Sequence, residues 1–124
     1  CFPEESSRFT EAVLEEVGRS GGVVPTLWLI EMANLLATAE RRRRIASERV
    51  EIIRVALADL PIEMDQARSL RSLPPLTRLA LDYGLTAYDA TYLELARRTG
   101  SRLATLDSAL RKAATKAGVP LFSV

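Results

Sequence analysis

The spacing of apolar and polar positions changes along the chain, and these changes predict the secondary structure. Helical spacing predicts helices over residues 4–17, 27–44, 47–60, 66–83, 86–98 and 107–117. Short apolar runs predict strands at residues 23–25, 61–64, 102–106 and 120–124. Strands that alternate with helices are typical of an α/β fold with a mostly parallel sheet.

Local signals predict where these elements begin and end. Gly18, Gly21 and Gly22 are expected to end the first helix, and Thr26 is expected to cap the second. Pro74 and Pro75 are expected to divide the segment 66–83 into two short helices.

The second predicted helix is apolar on nearly every side as far as Ala39, which predicts that most of it is buried. Glu31 lies within this apolar run, and Asn34 adds an amide one turn further on. A buried carboxylate is costly unless it is protonated, paired with a cation or bound to a metal. The alternatives are that this face is exposed, or that Glu31 forms an ion pair with an arginine.

Asp89 lies three residues after Thr86, in the threonine-x-x-acid pattern of a capping box. An acid in the first turn of a helix also interacts favourably with the helix dipole. Structural capping and a functional role for this carboxylate therefore both remain open. The flanking residues Tyr88 and Tyr92 are more often core residues than substrate contacts.

Asp107 ends the predicted strand 102–106 and begins the following helix, so it can be an N-cap. The carboxyl ends of parallel strands are also where open α/β sheets bind their ligands. Thr105 points to the same side of the strand, because side chains alternate along a strand. Capping and metal binding by Asp107 are compatible, and both remain open.

Composition restricts the chemistry that this chain can perform. The sequence has 124 residues, 48% of them hydrophobic and 27% charged, with a net charge of +1, which predicts one globular domain over residues 1–124. It contains no histidine and one cysteine, which excludes imidazole catalysis, serine triads of the usual kind and zinc sites built on histidine or thiolates. Carboxylates remain, and they suit hard cations such as Mg²⁺ or Mn²⁺.

The cysteine content and the net charge also indicate where the protein is located in the cell and what it could bind. The lone Cys1 cannot form an internal disulfide, and no signal or membrane anchor is visible, so a reducing cytoplasmic location is expected. The near-zero net charge leaves one dense basic cluster, formed by Arg41, Arg42, Arg43 and Arg44. This cluster could contact an RNA backbone or a partner protein, or it could be a solvated helix end that complements the helix dipole.

Three stretches, TLWLIEMAN, LTAYDATYLELA and LATLD, occur in an order and spacing that resemble the PIN domain family. Within that family the resemblance is greatest to VapC-type toxins of toxin–antitoxin modules, and it covers essentially the whole chain. It implies a PIN-like three-layer α/β fold, with a central, mostly parallel sheet and many flanking helices. It also implies that Glu31, Asp89 and Asp107 hold Mg²⁺ or Mn²⁺ and that Thr105 supports this cluster.

The resemblance further implies a metal-dependent endoribonuclease with an RNA substrate, a cognate antitoxin, a homodimeric assembly and no membrane association. The family has one more aspartate, on a first, central strand, and no such segment occurs among these 124 residues. The chain is therefore expected to be an N-terminally incomplete PIN-like domain, with its central strand absent from this sequence. The alternative is a catalytically inactive PIN-like module that binds a partner protein.

Overall fold

The computed structural model of the chain describes residues 4–43 and 46–123, with side chains from residue 8 onward. These described residues form two short strands and six α-helices, with a 3-10 turn at Leu70–Ser72. In chain order the elements are α1 (Glu4–Ser20), β1 (Gly22–Pro25), α2 (Thr26–Arg41), α3 (Ser47–Ala58), β2 (Ile62–Asp65), α4 (Leu73–Tyr83), α5 (Ala87–Thr99) and α6 (Ser108–Ala117). The predicted mixed α/β class is confirmed: the protein is mostly helical, with a small parallel sheet.

The parallel pairing occurs in two separate places. β1 and β2 run parallel, with Gly22 opposite Ile62 at one end and Pro25 opposite Asp65 at the other. The second place is a single parallel bridge between Leu103 and Leu121. Within residues 4–43 and 46–123, no ladder joins β1 to the bridge at Leu103. The expectation of a central strand between these two places remains a prediction.

The two predicted C-terminal strands are shorter than expected. Leu103 N donates to Pro120 O at 2.8 Å, and Phe122 N donates to Leu103 O at 2.9 Å. Pairing does not extend past this bridge, because the Thr105 carbonyl accepts a hydrogen bond from the Arg111 side chain at 2.8 Å instead of from a strand. The last residue of the predicted strand 120–124 lies outside the described residues.

Several predicted helix ends are corrected by the structure. α1 continues through Gly18 to Ser20, and Gly21, one of the three glycines expected to stop it, follows with φ at +80°. Thr26 is the first residue of α2 and not its cap, since the N-cap is Pro25, which has no side chain able to accept a hydrogen bond. α2 ends at Arg41, three residues earlier than predicted.

The paired prolines begin a helix where they were expected to interrupt one. Pro74 and Pro75 lie in the first turn of α4, where a missing backbone N–H removes no helical hydrogen bond. Ser69 Oγ accepts a hydrogen bond from Arg71 N at 3.2 Å and so caps the preceding 3-10 turn. The segment 66–83 thus contains two short helical elements as predicted, the 3-10 turn and α4, but the prolines begin the second element and do not separate the two.

The main hydrophobic core lies in the C-terminal part of the described chain, and Pro25 of β1 is also fully buried. The buried apolar side chains of this core are those of Leu79, Leu85, Ala90, Leu93, Leu95, Ala96, Leu103, Leu110, Ala113, Ala114 and Val119. By contrast α2 and α3, which the structure describes in full, contain no buried residue. The prediction that α2 is mostly buried was wrong: within the described chain, no element covers its outer apolar face.

An ion-pair network fastens β2 to α5. Arg98 Nη2 lies 2.6 Å from Asp65 Oδ2, and Arg98 Nε lies 2.7 Å from Glu94 Oε2. Arg68 Nη2 donates to Glu94 Oε1 at 3.1 Å and to the Thr91 carbonyl at 2.8 Å. The Arg98 guanidinium holds the pKa of Asp65 below its usual value. These contacts orient α5, the helix that carries Asp89.

Candidate active site

Asp107 is the N-cap of α6, as its position in the sequence predicted. Its Oδ2 accepts a hydrogen bond from Leu110 N at 2.9 Å, and Thr105 Oγ1 accepts one from Asp107 N at 3.1 Å. The cap uses one carboxylate oxygen and leaves Oδ1 outside this bond. The exposed Asp107 side chain can therefore cap α6 and still offer an oxygen to a ligand.

Asp89 lies in the first turn of α5, beside the N-cap residue Thr86. Thr86 Oγ1 accepts a hydrogen bond from Asp89 N at 3.2 Å, so the capping role of Thr86 is confirmed. Burial raises the pKa of the Asp89 carboxyl, and the charges of Asp107 and Glu31 raise it further, while the Thr86 hydroxyl opposes the change. Asp89 thus lies within the electrostatic field of the other two predicted acids.

Glu31 is exposed on α2, and the expectation that it is buried was wrong. Its Oε1 accepts a hydrogen bond from the Tyr92 hydroxyl of α5. The partner of this carboxylate is therefore a phenol, not the arginine considered as one alternative. Burial raises the pKa of Tyr92, and the bond to Glu31 raises it further, so the phenol keeps its proton and acts as a donor.

The remaining predicted residues lie on or beyond α2. Asn34 is exposed, one turn after Glu31. Arg41 ends the helix, and Arg42 and Arg43 are exposed in the turn that follows. Arg44 lies outside the described residues. A role for Asn34 in supporting the metal-binding acids and RNA contacts for the arginines remain predictions.

Sequence reasoning missed two polar side chains beside the predicted acids. Tyr92 was assigned to the core, although it lies three residues after Asp89 and hence on the same face of α5. Arg111 lies four residues after Asp107 on α6 and donates from Nη1 to the Thr105 carbonyl at 2.8 Å. Helical spacing from each acid would have identified both residues.

The sequence was matched to one protein family over most of its length. The PIN domain family matches residues 2–116. The chain belongs to the PIN domain family. PIN domains are generally nucleases that depend on divalent metal ions and bind RNA, which supports a nuclease assignment for this PIN domain. A search of curated proteins returned no match.

Glu31, Asp89 and Asp107 of this PIN domain offer only carboxylate oxygens as metal ligands. Hard divalent cations prefer oxygen ligands, so the residue types present suit such an ion. In the part of the chain that the structure describes, no group of three or more histidine, cysteine or acidic side chains is close enough to hold a metal ion. Asp89 therefore feels the charges of Asp107 and Glu31, but the described acids do not form a closed coordination group.

No helix within the described residues has both the length and the apolar character needed to cross a bilayer.

Proposed function

We propose that this PIN domain is a cytoplasmic, VapC-like endoribonuclease that hydrolyses RNA phosphodiester bonds with Mg²⁺ or Mn²⁺. The observation that carries the proposal is the environment of Asp89. Its pKa is raised by burial and by the charges of Asp107 and Glu31, which belong to two other elements of the fold. Carboxylates that repel one another in this way are stabilised by a cation placed between them.

Each residue has a distinct role in the proposed site. Glu31, Asp89 and Asp107 would hold the cation, and Thr105 would fix the backbone that carries Asp107 through its 3.1 Å hydrogen bond. The cation would supply an acidified water and stabilise the negative charge that develops on the phosphate. A protein base of neutral pKa is then unnecessary, which agrees with the absence of histidine from the sequence.

Contacts with RNA are assigned to the basic end of α2. Arg41, Arg42 and Arg43 are exposed, and their guanidinium groups suit phosphate oxygens. Arg44 is assigned to the same cluster from its position in the sequence. Binding that depends on such contacts weakens steeply as the salt concentration rises.

Partner proteins are proposed to cover the outer faces of α2 and α3. Ile30, Leu35 and Ile52 are 59%, 58% and 66% exposed. The neighbouring helices α2 and α3 carry five of the twelve large apolar side chains that are exposed among the described residues. Contiguous exposed apolar patches mark interaction surfaces. We assign this surface to a homodimer contact and to a cognate antitoxin.

A second candidate function is a PIN-like module that binds a partner without catalysis. Two observations favour it: the apolar surface of α2 and α3 is exposed, and the described residues lack a closed metal-binding group. Metal affinity and RNA cleavage distinguish the two functions, since a binding module requires neither.

Asp107→Asn tests the proposed metal site. Asparagine caps helices as well as aspartate does, so the melting temperature should change little while the negative charge is lost. We expect the Mn²⁺ affinity, measured by calorimetric titration, to fall by at least the roughly 10- to 100-fold loss that is typical of changes around metal ligands. Mn²⁺-dependent cleavage of RNA should fall with it.

Asp59→Asn is the matched control, because Asp59 is an exposed acid that lies outside the proposed cluster. It should leave Mn²⁺ affinity and cleavage unchanged. Equal Mn²⁺ affinity in wild type and Asp107→Asn would remove Asp107 from the ligands. A wild-type protein that neither binds Mn²⁺ nor cleaves RNA, but associates through α2 and α3, would establish the binding module instead.

A further inference from the structure

The bond between Tyr92 and Glu31 has an unusual place in the fold. It joins α5 to α2 across 61 positions of sequence, and Tyr92 is the donor. Among residues 8–43 and 46–123, it is the only side-chain hydrogen bond that α2 makes with another element. α2 contains no buried residue, although it contacts β1 and α3, and the bond from Tyr92 links Glu31 directly to α5.

The two partners of this bond differ in mobility. Tyr92 is partly buried and its ring is carried by α5, the helix that also contributes buried Leu93 and Leu95 to the core. Glu31 is exposed, and an exposed glutamate side chain samples many rotamers, whose loss on binding is entropically unfavourable. The bond therefore fixes a mobile carboxylate against a rigid helix.

The geometry also determines which oxygen remains available. The Tyr92 hydroxyl contacts Oε1 of Glu31, which leaves Oε2 outside the bond. Asp89 lies one turn before Tyr92 on the same face of α5, so the phenol directs the Glu31 carboxylate towards the face that carries Asp89.

We propose that Tyr92 is a positioning residue that holds Glu31 through Oε1, so that Oε2 is oriented for a divalent cation shared with Asp89. This inference rests on the proposed function, because it assumes that Glu31 and Asp89 belong to one metal site. Tyr92 itself does not contact the cation or the RNA. Hydrogen-bond partners of metal ligands change metal affinity by about 10- to 100-fold when they are removed.

Tyr92→Phe tests the proposal, because phenylalanine keeps the ring and its packing and removes only the hydroxyl. We expect Mn²⁺ affinity, measured by calorimetric titration of the chain, to fall about 10-fold or more. In the metal-free protein, hydrogen exchange of the α2 amides around Glu31 should become faster. The matched control is Tyr88→Phe on the same helix, since Tyr88 is 66% exposed and should change neither measurement.

A double-mutant cycle separates positioning from a purely structural role. If Tyr92 acts through Glu31, Tyr92→Phe should not change Mn²⁺ affinity further in a Glu31→Gln background. A lower melting temperature with unchanged Mn²⁺ affinity would make Tyr92 a structural residue and overturn the inference. An equal loss of affinity in both backgrounds would also overturn it.

Comparison with Asp107→Asn separates failure of this inference from failure of the proposed function. If Asp107→Asn weakens Mn²⁺ binding and Tyr92→Phe does not, the metal site stands and only the role of Tyr92 is wrong. If the wild-type chain does not bind Mn²⁺, the proposed function fails and the role of Tyr92 fails with it.

Discussion

Helices α5 and α6 of this PIN domain bury many apolar side chains, whereas helices α2 and α3 bury none. Between Leu79 and Val119, eleven apolar side chains are buried, and they belong to α5, α6 and the segments that flank these two helices. The α2–α3 pair contains no buried residue, although the sequence from Leu27 to Ala39 is the most continuously apolar in the chain. Hydrophobic content alone therefore does not decide what is buried.

The difference follows from what each helix can pack against. α5 and α6 pack against each other and, through Leu85 and Leu103, against the segments that precede and follow α5. α2 follows β1 directly, and its only polar side-chain link to another element in the described chain is the bond from Tyr92 to Glu31. An apolar helix face becomes core only when another element covers it.

The largest expected effect comes from removing a core side chain. Leu93 is fully buried, so Leu93→Ala should lower the free energy of unfolding by about 2 to 5 kcal/mol, through lost burial and the cavity that remains. Leu35→Ala on α2 removes the same atoms from a site that is 58% exposed and should cost less than about 0.5 kcal/mol. Urea unfolding at protein concentrations low enough to keep the chain monomeric measures both values. Similar losses in the monomer would mean that another part of the same chain covers α2.

The next effect concerns the network between β2 and α5. Asp65 has a side chain only 9% exposed, so Asp65→Asn should lower the free energy of unfolding by about 1.5 to 3 kcal/mol. Asp82→Asn is the control, because its pair with Arg78 is exposed and contributes at most about 1 kcal/mol. Equal effects of the two variants would show that burial does not determine the strength of these pairs.

The same pair predicts a dependence on pH. Arg98 holds the pKa of Asp65 below its ordinary value of 3.8. The stability contributed by Asp65 is therefore fully present above that ordinary value and is lost as the pH falls through the lower, folded-state pKa. Thermal melts in acid should show wild type losing more stability than Asp65→Asn. A parallel loss in both proteins would contradict this assignment.

A smaller effect on stability is expected on the exposed face of α3. Ile52→Gln should change the free energy of unfolding by less than about 0.5 kcal/mol, because Ile52 is 66% exposed. It should nevertheless weaken self-association in sedimentation velocity, since it removes apolar surface from the proposed interface. Glu48→Gln on the same helix is the control and should leave self-association unchanged.

The smallest expected effect is that of Asp89→Asn on the metal-free protein. Burial and the charges of Asp107 and Glu31 raise the pKa of Asp89, so its ionised form is destabilising at neutral pH. The stability that Asp89 contributes is present below its unfolded-state pKa and is lost as the pH rises through the raised, folded-state pKa. The variant should melt slightly higher than wild type at neutral pH, with the difference vanishing in acid. A lower melting temperature at neutral pH would favour a structural role.

Local signals in the sequence determined much of the candidate site. Thr86 and Asp107 are N-caps as predicted, because capping depends on residues within one helical turn. The order of the three acids and their flanking apolar residues was enough to suggest the family that the comparison then established. The mixed α/β class was also predicted correctly, because segments with helical spacing of apolar residues alternate with short apolar runs along the sequence.

Other features depended on partners that are distant in sequence. The exposure of α2, the shortening of the strand at Leu103 and the bond from Tyr92 to Glu31 could not be read from local patterns. Apolar periodicity indicates that a face can be buried, but only the tertiary structure decides which element covers it. For the same reason the sequence identified Glu31 as chemically unusual, while only the fold provided the tyrosine that holds its carboxylate.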